Sequence, residues 1–111
     1  VPRWDFGAPE SHMGDTSAAA IAACGLMELS AALPMAAPER VRYREAALET
    51  LATLGEEYTT AERDSNAILT ESFYLAVEGQ EDDPPSNGTI WGDYFYLEGL
   101  TRATTDWQSY W

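Results

Sequence analysis

Two stretches of this chain, about residues 15–33 and from Thr89 or Ile90 to about Arg102, carry apolar or small side chains on nearly every side of a helix. In the first, Ala, Ile, Cys, Gly, Leu and Met follow one another from Ala18 to Met27 without a polar break. In the second, Trp91, Tyr94, Phe95, Tyr96, Leu97 and Leu100 wrap around the axis. A helix that is apolar all round has to be covered on more than one face. Asp15 or Thr16 supplies the N-cap of the first helix, and Pro34 stops it. Between the two stretches lies a helix of another kind. Pro38 sits where a first-turn proline is tolerated, and Val41, Ala47, Leu48, Leu51, Leu54 and Tyr58 repeat at helical spacing opposite Arg42, Glu45, Glu49 and Glu56. This second helix has one wet face and runs until Asp64, Ser65 and Asn66 interrupt it. The order buried, amphipathic, buried is what alternating inner and outer helices of an α/α toroid produce, so the fold class is all-α.

The remaining segments read as connections. Residues 1–14 form a loop presenting Trp4 and Phe6, and 78–88, with Pro84 and Pro85, form a polar surface loop. Residues 67–77 are either a short helix or an extended loop around Phe73 and Tyr74. A chain of 111 residues is long enough for one compact domain and too short for two.

Charge narrows the partners. Six Arg, no Lys and 19 acidic residues give a formal charge of -13, which repels nucleic acid phosphates and anionic lipid headgroups. No run approaches the roughly 18 apolar residues of a spanning helix. Neither nucleic acid nor membrane is an expected partner. Dense carboxylates without Lys suit a protein kept soluble at high salt, and we expect a halophilic source. Cys24 is the only cysteine, so no internal disulfide is possible, and a reducing, cytoplasmic compartment fits. With His12 the only histidine, no zinc site of His and Cys can be assembled within the chain. The chain begins with Val1 and no leader segment, which reads as a soluble fragment or a processed chain.

Three segments carry a resemblance. Trp4-Asp5-Phe6-Gly7-Ala8-Pro9-Glu10, the run from Asp15 to Leu26, and Trp91-Gly92-Asp93-Tyr94-Phe95-Tyr96-Leu97-Glu98-Gly99-Leu100 stand in the order and at the spacing of glycoside hydrolase family 88. The chain is therefore similar to the C-terminal part of the unsaturated glucuronyl hydrolases. The resemblance implies an (α/α)6 toroid, of which three helices supply about a quarter by helix count, so that residues 1–111 are the C-terminal portion of a single toroid domain. It also implies release of a 4,5-unsaturated uronic acid from lyase-generated oligosaccharides by acid/base-assisted hydration of the enol-ether double bond, without metal or organic cofactor. The implied partners are the unsaturated uronyl oligosaccharide and, for the uncovered helices, a missing N-terminal toroid segment or a second copy. The related unsaturated rhamnogalacturonyl hydrolases are the nearest alternative, although Trp4-Asp5-Phe6 followed by Ala8-Pro9 leans toward the glucuronyl type. A truncated, non-catalytic helical piece that binds a partner is an alternative of another class.

Asp5, Asp15 and Asp93 are the aspartates inside the matching segments. Their simpler roles are structural: Asp15 as an N-cap, Asp93 as a first-turn partner of the helix dipole. The family's catalytic aspartates lie in its N-terminal half, so no catalytic residue is expected in this chain. Aromatic side chains are better candidates, because sugar rings stack on them by their apolar faces. The resemblance places Tyr74 near a substrate-contacting tyrosine of the relatives. Trp4 and Trp91 either line the same cleft or belong to the core. Trp107, Tyr110 and Trp111 read as packing groups or a docking edge, and Glu81-Asp82-Asp83 as a solvated acidic loop lacking the ligand alternation of a calcium site.

Overall fold

The computed structural model describes residues 1–4, 7, 14–60, 65–74 and 88–108. Within them the chain forms α1 (Thr16–Ala32), α2 (Pro38–Glu57) and α3 (Ile90–Thr104). The only extended pairings among the described residues are single bridges between Arg3 and Gly14 and between Thr59 and Leu69. The expected acidic loop at Glu81, the tail at Tyr110 and Trp111, and Asp5, Phe6 and His12 lie outside the described residues.

Asp15 caps α1: its backbone is extended at φ -124°, and its carboxylate accepts from the Ser17 amide. At the other end Leu33 is extended before Pro34, as a residue preceding proline tends to be. Pro38 opens α2. The turn between the two helices is locked from both sides. Ser30 Oγ donates to the Arg40 carbonyl at 2.8 Å, and Arg40 Nη1 donates to the carbonyls of Ala31 and Leu33 at 3.2 and 2.8 Å. This Arg supplies donors to carbonyls that the end of a helix leaves without intrahelical partners.

The second helix ends at Glu57, earlier than the sequence suggested. Thr59 and Thr60 are β-branched, and they pair with an extended segment instead of continuing the helix. Thr60 N–H donates to the Ile68 carbonyl at 2.9 Å, and Thr70 N–H to the Tyr58 carbonyl at 2.8 Å. The described part of 67–77 is thus extended, which settles that open choice against a helix as far as Tyr74. Glu71 takes a left-handed φ of 58°, turning the chain back toward the start of α1.

Side-chain pairs fix the helix directions. Ser17 meets Trp91, Cys24 meets Phe95 and Glu28 meets Arg102, so α1 and α3 run parallel. Cβ atoms placed on Gly99 and Gly55 would meet the Leu51 side chain at 2.7 Å and the Tyr96 hydroxyl at 2.9 Å, so α3 runs antiparallel to α2. The missing side chains at both glycines permit this close crossing. Ala19, Ala20, Ala23 and Met27 of α1 meet Ala47, Leu51 and Leu54 of α2, Leu69 and Tyr96 in one core. Two parallel helices with an antiparallel one packed against them give an all-helical arrangement, as the resemblance to a segment of an (α/α)6 toroid implies.

The all-round burial expected of the apolar helices is only partly present. Ile21 and Leu29 of α1 are exposed, as are Ile90, Tyr94, Leu97 and Leu100 of α3. Tyr94, expected to be covered by elements outside these residues, is 46% exposed. Ile90, Tyr94, Leu97 and Thr101 form one stripe at helical spacing on the side of α3 turned from the core. On α2 the buried positions are Ala47, Leu51 and Leu54, while Val41 and Leu48, read as part of the apolar face, are exposed.

Candidate functional site: an aromatic wall at the helix N-termini

Because α1 and α3 are parallel, both begin at the same end of the molecule. Thr16 and Ser17 hold this end together. Thr16 Oγ1 donates to the Thr70 carbonyl at 2.6 Å and shares a 2.9 Å hydrogen bond with Ser72 Oγ, and its amide donates to the Glu71 carbonyl at 3.1 Å. The start of α1 therefore grips segment 70–73. α3 closes in from the other side, where a Cβ on Gly92 would meet Ser72 Oγ and Thr89 Oγ1 at 2.9 Å and Ser17 Cβ at 3.1 Å. Only glycine fits between these groups.

Both helix ends are capped internally. Thr89 Oγ1 accepts from the Gly92 amide at 3.1 Å, and Asp15 Oδ1 from the Ser17 amide at 3.0 Å. Asp93 serves elsewhere: its carboxylate accepts from the amides of Ile68, at 3.0 and 3.1 Å, and Leu69, at 2.9 Å. Its expected role as a simple dipole partner is thereby extended to tying an extended segment to the first turn of α3. Asp15 and Asp93 are both occupied by backbone donors, which is a structural use of a carboxylate.

The three aromatic residues singled out in the sequence come to this end. Trp4 stacks on Phe73, with ring centroids 4.2 Å apart and planes inclined by 20°. Next to it, Tyr74 lies 5.4 Å from Trp91 at an inclination of 52°. Trp4, Phe73 and Trp91 are half-buried, while Tyr74 is 75% exposed. The first three are partly covered, and Tyr74 projects from the wall. Phe73, Thr16 and Ser17 escaped the sequence reading as members of this site. Their only signal was position, two hydroxyls directly after an N-cap and an aromatic beside Tyr74.

The opposite end of the helix pair is ionic. Arg102 Nε meets Glu98 Oε1 at 2.8 Å and Arg102 Nη1 meets Glu28 Oε2 at 2.7 Å, with the Arg102 guanidinium 5.0 Å from the Trp107 ring centre. Burial alone would lower the Arg102 pKa, but the hydrogen bonds to Glu28 and Glu98 outweigh it and raise the value. Cys24 is buried nearby and donates to the Phe95 carbonyl at 3.2 Å. Burial first, and then the Glu98 charge, pushes its thiol up to about 11, which keeps it protonated and unreactive. A groove of about 470 Å³ between α1 and α2, lined by residues including Met27, Arg40, Val41 and Leu48, lies toward the end of α1 and away from the aromatic wall. No cluster of three or more His, Cys, Asp or Glu among the described residues is arranged to hold a metal ion. No helix among them is long and apolar enough to cross a membrane.

No protein-family model matches the sequence. Over 116 aligned residues, however, the whole chain is 40% identical to the unsaturated glucuronyl hydrolase of Bacillus sp. strain GL1, covering 29% of that protein. The chain resembles part of an unsaturated glucuronyl hydrolase. It is also 37% identical, over all of its length and 28% of the relative's, to the unsaturated chondroitin disaccharide hydrolase of Streptococcus pyogenes serotype M1. The fold agrees. The crystal structure of the Bacillus sp. GL1 unsaturated glucuronyl hydrolase, described as responsible for the degradation of glycosaminoglycan, superposes with a TM-score of 0.80 and 38% identity over 94% of this chain and 28% of that one. The chain thus spans less than a third of the length of the curated relatives it matches.

Proposed function

We propose that residues 1–111 are the C-terminal portion of an unsaturated glucuronyl hydrolase-type glycosidase and supply one aromatic wall of its saccharide cleft. The observation that carries this reading is the exposed Tyr74 ring beside Trp91, at the end of a helix pair that resembles such an enzyme over the whole chain. Tyr74 and Trp91 offer apolar faces to a sugar ring, and Trp4 backs the wall through Phe73. The substrate class is an oligosaccharide ending in a 4,5-unsaturated uronic acid. In its hydration a proton adds to one alkene carbon and water to the carbon bearing the ring oxygen. The resulting hemiketal opens and releases the remaining sugar. Asp15 and Asp93 are committed to backbone amides, so the acid/base groups belong to the segments outside this chain. Those segments, or a second copy, cover the apolar stripe of Ile90, Tyr94 and Leu97. The enzyme acts in the cytoplasm, where Cys24 stays reduced, and its acidic, Lys-free surface suits high salt.

The conjugated double bond absorbs in the ultraviolet, so turnover is followed as lost absorbance. The purified chain alone is expected to leave an unsaturated disaccharide intact. The chain joined to the remaining toroid segments of a relative it matches is expected to consume it, and Tyr74→Ala is expected to slow that reaction. Turnover by the isolated chain, or undiminished turnover after Tyr74→Ala, contradicts the reading. Thermal unfolding from low to molar salt tests the salt adaptation; a constant midpoint contradicts it.

A further inference from the structure

We propose that Ser17 and Asp15 form a positioning relay that sets the orientation of the Trp91 ring, and through the Phe73 amide the course of the chain into Tyr74. Trp91 Nε1 donates to Ser17 Oγ at 3.2 Å, Ser17 Oγ donates to Asp15 Oδ1 at 2.6 Å, and the Phe73 amide donates to the same Asp15 oxygen at 3.2 Å. The inference rests on the reading of the wall as a saccharide-facing surface.

The direction of each hydrogen bond makes this a relay. An ionised carboxylate only accepts, so the Ser17 hydroxyl proton is committed to Asp15. The lone pairs of Ser17 Oγ are then left for the indole N–H, which has no other role than donor. Ser17 is almost wholly buried, so water does not compete for the indole. An N-cap requires only the bond from Asp15 to the Ser17 amide. The further donors come from residues 58 and 74 positions away and do nothing for the cap. They join the first turn of α1 to the first turn of α3 and to the segment that carries Tyr74. With its N–H edge fixed inward, Trp91 turns its ring toward Tyr74, and the 5.4 Å spacing of the two rings follows. The same end has close-packed neighbours at Gly92 and a left-handed turn at Glu71, so the backbone on both sides of the relay is held as well.

The test uses Ser17→Ala, which keeps the backbone amide that Asp15 caps and removes only the hydroxyl. Indole N–H signals of the chain are assigned with Trp91→Phe, and an unsaturated uronyl disaccharide is then titrated. Without saccharide, Ser17→Ala is expected to move the Trp91 indole signal toward that of an unbonded N–H, leaving the helical content unchanged. On titration it is expected to weaken binding by about three- to tenfold, the worth of one hydrogen bond. The two changes are expected to be non-additive with Trp91→Phe, since the two side chains act as one unit. An unmoved indole signal in Ser17→Ala overturns the relay whatever the saccharide does. A moved signal with unchanged binding, where Trp91→Phe does weaken binding, overturns its positioning role. Binding that neither variant alters overturns the reading of the wall itself, and is distinguished from the first failure by the indole signal.

Discussion

The two ends of the parallel pair α1 and α3 are held by different physics. At the N-terminal end, the Thr16 hydroxyl donates to a backbone carbonyl, the Asp15 carboxylate accepts from the Ser17 hydroxyl and the Phe73 amide, and the Ser17 hydroxyl accepts from the Trp91 indole, all at 2.6 to 3.2 Å. At the C-terminal end, the Glu98 side chain, 3% exposed, faces Arg102, while Glu28 on the rim is 61% exposed. One Glu98 oxygen has no hydrogen-bond partner among the described residues. Single hydrogen bonds fix geometry in small steps, each worth about 1 to 3 kcal/mol. A buried ion pair concentrates its effect in two side chains and fails when one is removed. The end that needs a set ring geometry is thus built from many small contacts, and the end that only has to stay closed from a few strong ones.

Mutations at the ionic end sharpen the contrast most. Arg102→Ala leaves Glu98 buried without its counter-ion, and we expect a loss of about 3 to 5 kcal/mol in denaturant unfolding. A loss below 1 kcal/mol would mean that water reaches Glu98 and that the end is not closed. A smaller effect comes from pH. The Cys24 thiol is raised from its ordinary 9.0 to about 11. Its contribution is full below pH 9, where the thiol is protonated in both states. Above that the unfolded thiol ionises while the folded one does not, so stability falls until about pH 11, by about 2 to 3 kcal/mol. Cys24→Ala removes this part of the decline, and identical pH profiles for the two proteins would contradict the assignment. At the other end Asp15→Ala is expected to cost about 1 to 2 kcal/mol, the size of a lost cap. Its mark is local: the Phe73 amide should gain hydrogen exchange while Arg102 and Cys24 keep their surroundings.

Much of the backbone was legible in the sequence. Asp15, Pro34 and Pro38 are local signals whose chemistry acts within a few residues, and both ends of α1 and the start of α2 fall where they point. The end of α2 was not, because Thr59 and Thr60 leave the helix to pair with a segment about ten residues on, and periodicity carries no information about that partner. For the same reason Val41 and Leu48 resembled core residues: the helical pattern shows an apolar face without showing how much of it finds a neighbour. At the site, Tyr74, Trp4 and Trp91 were readable as aromatic candidates, but their convergence depends on the parallel course of α1 and α3. The relay through Ser17 was illegible, since a serine after an aspartate looks like any first turn. Its indole partner lies 74 residues away.

The most direct measurement follows aromatic ring and side-chain resonances of the chain while an unsaturated uronyl disaccharide is added. If the wall faces the saccharide, the Tyr74 and Trp91 ring signals shift together and saturate with one affinity, while the Arg102 side-chain signal at the opposite end stays in place. Unmoved Tyr74 and Trp91 rings, or shifts centred on Arg102, would contradict the account.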